Sequence, residues 1–487
     1  MKKATGDTGK KVFSNFIWRF AERCGAQLVA FVVSIVLARI LAPELYGTIA
    51  LVTVFINILQ VFVDSGLASA LIQKKDADEL DFSTVFFTNV SFCVMLYILV
   101  FFMAPMIGRF YRNMSLVPVI RVLSITLLIS GVKNVQQAYV SKNLLFRKFF
   151  FSTLGGTVLA AIAGIAMAVK GYGIWALVTQ QLLNATVDTI ILWITVKWRP
   201  KFIFSFERLK GLFSYGWKLL ASGLLDTVYN NLRQLIIGKL YSASDLAFYN
   251  KGDQLPNVIV TNINSSIDSV LLPVMSKEQD DKNAVKNMTR RAIKTSTYIM
   301  APLMMGLAFT SHNVIVLLLT EKWVACIPYL SIFCITYMFW PIHTANLNAI
   351  KAMGRSDIFL KLEIIKKFVG LVVLLSVMRY GVMAMAYSLL VTSVLSQIIN
   401  SSPNKKLLGY GYLEQLKDIL PNIIMAILMG VCVYFIPIIF NSVLFTLIVQ
   451  VILGIVIYIC ESIITKNDTF HYLLGIVKSM ISKKKTS

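Results

Sequence analysis

The chain has 487 residues, of which 57% are apolar and only 15% charged, and its mean hydropathy is +0.72. An ordinary soluble protein is about 25% charged, so this composition excludes a soluble domain and a disordered chain and points to an all-α, polytopic membrane protein. The formal net charge of +23 does not describe a nucleic-acid surface, because the basic residues sit in short connections between apolar spans rather than in one block with interleaved aromatics.

The N-terminus, MKKATGDTGKK, is basic. The apolar stretch after it carries Arg19, Glu22 and Arg23 and has no small-residue cleavage site, so it is expected to be a retained first helix rather than a signal peptide. Apolar runs of at least about 17 residues then predict helices over 13–40, 46–72, 82–108, 116–140, 149–169, 173–196, 212–240, 248–274, 290–310, 324–349, 358–378, 382–400, 419–438 and 443–464. With the N-terminus inside, the inner connections and the two ends hold about 31 of the 47 Lys and Arg and the outer connections about 8, a bias that predicts an N-in, C-in topology. Pro256, Pro273, Pro302 and Pro341 interrupt the later spans and predict bends.

Six cysteines lie singly in apolar stretches and the three histidines are far apart, so neither a disulfide frame nor a metal site is expected. The outer connections are short, such as Lys170 to Gly173 and Arg379 to Gly381. No folded domain fits there, so binding must take place inside the helix bundle or on its faces. A membrane enzyme of sugar assembly would show a long outer loop or a cluster of catalytic carboxylates and His, and this chain has neither.

An offset near 200 residues pairs Leu37-Ala-Arg39 with Ile237-Gly-Lys239, and Val63-Asp64-Ser65-Gly-Leu67 with Ile267-Asp268-Ser269-Val-Leu271. Six helices separate the matched pairs, so the two copies would enter the membrane in the same orientation, the parallel-repeat plan of many transporters. The expected organisation is two pseudo-symmetric six-helix lobes, 1–205 and 206–402, followed by 403–487 with two appended helices and a basic tail.

An ionisable side chain in the hydrocarbon costs a few kcal/mol unless it faces a partner or a wet cavity. At 100° per residue, Lys218, Ser222, Asp226, Tyr229, Asn230 and Arg233 of the seventh helix fall within an arc of roughly 120°. The stripe is either an ion-pair network that fastens helices or, with more cations than its single carboxylate matches, the wall of an anion-binding cavity. On the first helix Arg19, Arg23, Gln27 and Ser34 share one face, with headgroup snorkelling as the alternative. Gln181, Asn184 and Asp188 share a face of the sixth helix, and Glu363, Lys366 and Lys367 of the eleventh allow a local ion pair with one cation left over. The expected substrate-cavity residues are Arg19, Arg23, Lys218, Asn230, Arg233, Lys366 and Lys367. The expected coupling candidates are Asp64, Asp188, Asp226, Asp268 and Glu363.

Three stretches resemble a known family. They are Ser34-Ile-Val-Leu-Ala-Arg-Ile-Leu-Ala-Pro-Glu-Leu-Tyr-Gly47 with Asp64-Ser-Gly-Leu-Ala-Ser-Ala-Leu-Ile-Gln73; Gly171-Tyr-Gly-Ile-Trp-Ala-Leu-Val178 with Arg199-Pro200; and Phe213-Ser-Tyr-Gly-Trp-Lys218 with Tyr249-Asn-Lys-Gly-Asp-Gln-Leu-Pro256. Over about residues 13–400 the chain resembles the oligosaccharide flippases of the multidrug/oligosaccharidyl-lipid/polysaccharide exporter superfamily, in particular the capsule, teichuronic-acid and colanic-acid type exporters. The resemblance implies fourteen helices in two lobes and alternating access in the cytoplasmic membrane of a bacterium. It also implies an oligosaccharide repeat unit on a polyprenyl pyrophosphate carrier as substrate, and work beside glycosyltransferases and a polymerase. No ATPase domain and no cofactor are implied; coupling would be to Na+ or H+. Cavity arginines would take the diphosphate, a role carried over to Arg23 and Arg233. A cation-coupled small-molecule antiporter of the same fold and a membrane-embedded enzyme of polysaccharide assembly are the competing readings.

Overall fold

The computed structural model describes residues 24–64, 66–440 and 442–485, together with Trp18 and Glu22. Among them all regular structure is helical, and the chain divides into two compact units, 1–247 and 248–487. The first unit contains α1 (Cys24–Ile40), α2 (Pro43–Asp64), α3 (Leu67–Gln73), α4 (Glu79–Phe110), α5 (Leu116–Leu123), α6 (Ile125–Lys142), α7 (Arg147–Val169), α8 (Ile174–Thr195) and α9 (Phe206–Leu240). α10 (Ala243–Lys277) begins there and lies mostly in the second unit. α11 (Lys282–Phe309), α12 (Ser311–Leu319), a 3-10 turn (Glu321–Cys326), α13 (Ile327–Met338), α14 (Trp340–Ala352), α15 (Ser356–Val377), α16 (Val382–Leu408), α17 (Tyr412–Tyr434), α18 (Val443–Ile464) and α19 (Asp468–Lys485) follow.

Ten helical spans among the described residues are long and apolar enough to cross a membrane, or eleven when α11 and α12, bent by 68° at their junction, form one span. This makes the chain a multi-pass membrane protein. The fourteen expected segments are helical over most of their described residues, with breaks such as Gly66, Ser124 and Phe339, but three of them fall outside the set of apolar crossings. α1 is short as described. α9 carries Lys218, Asp226, Arg233 and Lys239, and α15 carries Lys361, Glu363, Lys366 and Lys367, so apolarity alone does not number them among the crossings. The sharp bend falls at Thr310 and not at Pro302, which lies inside α11.

Local chemistry sets the helix starts. Asp78 caps α4 by accepting from the Asp81 N–H at 2.9 Å while the Asp81 side chain accepts from the Asp78 N–H at 3.2 Å, a reciprocal capping box. Ser205 caps α9, and Asp281 caps α11 by accepting from the backbone of Asn283 and Ala284. The path of α9 depends on two glycines. Gly66 has a positive φ of 40° at the break between α2 and α3, and a Cβ there would lie 2.3 Å from the Gly216 carbonyl oxygen. Only two residues without side chains allow that approach of backbones, which seats α9 against α2, α3 and α4.

One core of the first unit gathers Leu67, Leu71, Phe82, Val135, Leu192 and Trp198, from α3, α4, α6, α8 and the segment after α8. Beside it Asp81, fully buried, accepts from Lys74 Nζ at 2.6 Å and has Arg208 at 3.6 Å. In the second unit a core of Met275, Ile293, Ile342, Ala349, Tyr410 and Ile419 binds α10, α11, α14 and α17. α18 is tied to the same unit by Asn313 donating to Gln450 at 2.9 Å and by Tyr458 donating to the Tyr298 carbonyl at 3.0 Å.

Candidate functional site: polar clusters in the membrane-spanning helices

The first cluster lies within the first unit. Lys133 on α6 donates to Asp188 Oδ2 on α8 at 3.0 Å, with both side chains mostly buried. Asp64, at the last turn of α2, accepts from Gln60 at 3.1 Å and feels the Lys133 charge as well. Asn134, the neighbour of Lys133, donates to the Val63 carbonyl at 2.8 Å and so holds α6 against the end of α2. Two of the expected coupling residues, Asp64 and Asp188, thus converge on one cation that the sequence reading missed. Lys133 was legible as a lone lysine within the fourth span, where a cation needs a partner. The second carboxylate oxygen of Asp188, Oδ1, is buried and accepts no hydrogen bond among the described residues.

The second feature is the α9 stripe. Lys218, Ser222, Asp226 and Asn230 are exposed and Arg233 is half-buried. Arg233 Nη1 is buried with no hydrogen-bond partner, and Arg233 makes no ion pair among the described residues. A buried guanidinium nitrogen without an acceptor costs free energy that a bound anion would offset. Arg19 and Arg23 lie outside the described residues. Glu22, which stands between them in the sequence, is buried and accepts from Thr153 at 3.4 Å.

In the second unit Glu363 accepts from Lys366 at 2.6 Å, the local pair that their spacing allows. Asp268 is exposed on α10, and Lys367 shares the α15 helix with that pair. Deeper groups on α10 carry more. Asp253 accepts from Tyr337 at 2.5 Å and from Asn257 at 3.3 Å, Lys251 donates to Gln254 at 2.9 Å, and Thr344 donates to Asn264 at 2.6 Å. His343 meets Asn400 at 3.3 Å and Ser393 at 3.4 Å. Asn346, Asn404 and Gln415 form a buried amide network across α14, α16 and α17. Arg290 makes a two-toothed pair with Asp418, both bonds at 2.7 Å, and Tyr410 adds a third donor at 2.8 Å. Lys251 and Asp253 both belong to Tyr249-Asn-Lys-Gly-Asp-Gln-Leu-Pro256, so charges inside a span were the available signal. Between them Gly252 meets the backbone of Cys326 and Leu330 so closely that a Cβ would lie 2.8 Å from the Leu330 nitrogen. No group of three or more His, Cys, Asp or Glu able to hold a metal ion occurs among the described residues.

The chain is 28% identical over 306 residues to the teichuronic acid biosynthesis protein TuaB of Bacillus subtilis, an alignment that takes in 61% of this chain and 62% of that protein. It is 25% identical to the lipopolysaccharide biosynthesis protein WzxC of Escherichia coli over 81% of this chain and 83% of that one. The fold is similar to that of the lipid II flippase MurJ in an inward closed conformation, with a TM-score of 0.76, 15% identity, and coverage of 93% of this chain and all of that one. An inward-facing multidrug resistance transporter of the MATE family matches with a TM-score of 0.59 and 17% identity over 78% of this chain and 95% of that one. The polysaccharide biosynthesis protein family matches residues 36–328, well over half of the sequence, and the chain belongs to that family.

Proposed function

We propose that the chain is a flippase that carries an oligosaccharide repeat unit, linked to polyprenyl pyrophosphate, across the cytoplasmic membrane by alternating access, for the assembly of a capsule, exopolysaccharide or O-antigen type polymer. Membership of a polysaccharide biosynthesis family and a fold similar to that of the lipid II flippase MurJ support a transport role over a catalytic one. In this reading both termini are cytoplasmic, the repeat halves are 1–205 and 206–402 with 403–487 appended, and the glycosyltransferases and polymerase of the pathway are its functional partners.

The observation that carries the substrate assignment is Arg233, whose Nη1 is buried without an acceptor on a helix that the hydrocarbon would otherwise select to be apolar. A diphosphate offers several anionic oxygens to such a group and leaves sugar and lipid to looser contacts. Lys218, Asn230, Lys366 and Lys367, with Arg19 and Arg23, are the remaining proposed phosphate contacts. Asp188, with Lys133 as its partner, is the first coupling candidate; Asp64, Asp226, Asp268 and Glu363 are the others, for Na+ or H+.

The test is surface polymer in a deletion strain complemented at matched expression. Arg233→Ala is expected to abolish export and Arg233→Lys to retain part of it, since Lys keeps the charge but loses the two-toothed phosphate geometry. Full export from the alanine variant would remove the phosphate role.

A further inference from the structure

The first unit contains an apolar cavity of about 650 Å³ between α3, α4 and α9. Its wall includes Leu67, Phe92, Phe206, Leu209, Phe213 and Leu220. Two polar residues on α4 border it: Thr88 donates to the Thr84 carbonyl at 2.8 Å, and Asn89 donates to the Gly131 carbonyl at 3.4 Å while its Oδ1 has no donor among the described residues. The rest of the wall is apolar and suits hydrocarbon, with the Asn89 oxygen as its one unanswered acceptor among the described residues.

Its mouth has a different chemistry. Glu207 and Lys210 stand at the rim, both exposed, and Lys210 makes no ion pair among the described residues. Residues 197–210, which lead into α9, carry five Lys and Arg against the single carboxylate of Glu207. Aromatic side chains stand among them, with Phe202 97% exposed and Phe206 77% exposed. Exposed aromatics interleaved with cations mark the headgroup level of a membrane and attract anionic lipid. A ligand that fits both parts has an anionic head at the depth of Lys210 and a hydrocarbon chain that runs down beside α4 and α9.

We infer that this cavity holds the polyprenyl chain of the carrier lipid, with its phosphate end at Lys210, before the sugar-bearing head moves on. The inference rests on the proposed function, which supplies a lipid of that chemistry on the basic side of the membrane. Phe92, Phe206 and Phe213 give that isoprenoid chain an aromatic wall. α9 then meets the same substrate in two successive places, its first turns before the head moves on and Arg233 further along afterwards.

The experiment uses the full chain in lipid nanodiscs and a polyprenyl diphosphate with a photoreactive group in its hydrocarbon chain. Crosslinks are expected on the peptides containing Thr88 to Phe92 and Phe213 to Leu220. Unlabelled polyprenyl diphosphate should compete and phosphatidylglycerol should not. Leu220→Trp, which fills the cavity, is expected to lower labelling about tenfold, and the milder Leu220→Phe to lower it less, each scored per folded protein, with the lipid-facing Ile448→Trp unchanged. Equal competition by phosphatidylglycerol, labelling confined to other helices, or full labelling of both Leu220 variants would overturn the assignment. Export is scored separately: labelling without export would sink the flippase reading and leave the cavity assignment standing, whereas export without labelling would do the reverse.

Discussion

α9 and α10 are consecutive helices of 35 residues each, and they treat charge in opposite ways. On α10 the deeper polar groups are answered: Asp253 by Tyr337 and Asn257, Lys251 by Gln254, Asn264 by Thr344. On α9 Lys218 and Asn230 are exposed and Arg233 keeps a buried nitrogen without an acceptor among the described residues. A fully satisfied polar network fastens helices, whereas an unsatisfied one is retained at a free-energy cost that needs another explanation. The contrast separates a fastening helix from a working one within a single family of helices, and mutation can test each side of it.

The largest expected effect is on function. Arg233→Ala should abolish polymer export while the thermal unfolding midpoint in detergent stays level or rises slightly, because removing an unsatisfied group gives up no hydrogen bond at Nη1. Loss of export together with loss of folded protein would move α9 to the fastening class.

Lys133→Met comes next. It leaves Asp188 buried without a cation, at a cost of about 2–4 kcal/mol in unfolding measurements. Adding Asp188→Leu should recover most of that loss, since replacing both partners by apolar groups removes the desolvation penalty as well. If the double variant is stable but does not export, the pair belongs to transport; if it exports normally, the pair is a fastener inside the same unit as α9.

Asp253→Ala should lower stability by about 1–3 kcal/mol, because the Tyr337 hydroxyl and the Asn257 amide both lose their acceptor. Tyr337→Phe should cost about 1 kcal/mol, and the two together less than their sum. Additive losses would show that the α10 groups act singly and not as a network.

The smallest effect concerns pH. Asp78, just before α4, is held below the usual carboxylate range, first by the Asp81 backbone N–H and then by the Asp81 side chain and the nearby Arg208 and Lys74. Its capping contribution is therefore complete above about pH 4, the ordinary value for an unfolded aspartate, and is lost as pH falls through the lower folded value. Asp78→Asn still caps the helix, so the variant should unfold with a flatter acid dependence than the wild type. An unchanged acid profile would show that the cap contributes nothing measurable.

The sequence by itself determined the class of the molecule and the places of its helices, because about 20 consecutive apolar residues have no stable alternative to a helix in lipid. It also marked α9 and α15 as the helices with too much charge for plain lipid-facing spans, and it allowed Glu363 a local ion pair with Lys366 or Lys367, since neighbours on one helix are fixed by the helical period. Partners on different helices were not legible. Lys133 with Asp188 is separated by 55 residues, Arg290 with Asp418 by 128 and Tyr337 with Asp253 by 84, and nothing in a single sequence records which faces will meet. The same holds for Gly66 and Gly216, each present in a recognisable stretch, whose common purpose appears only when their backbones touch. Tertiary packing alone decided which charges were answered and which were left waiting, because satisfaction of a buried group is a property of distance and not of residue type.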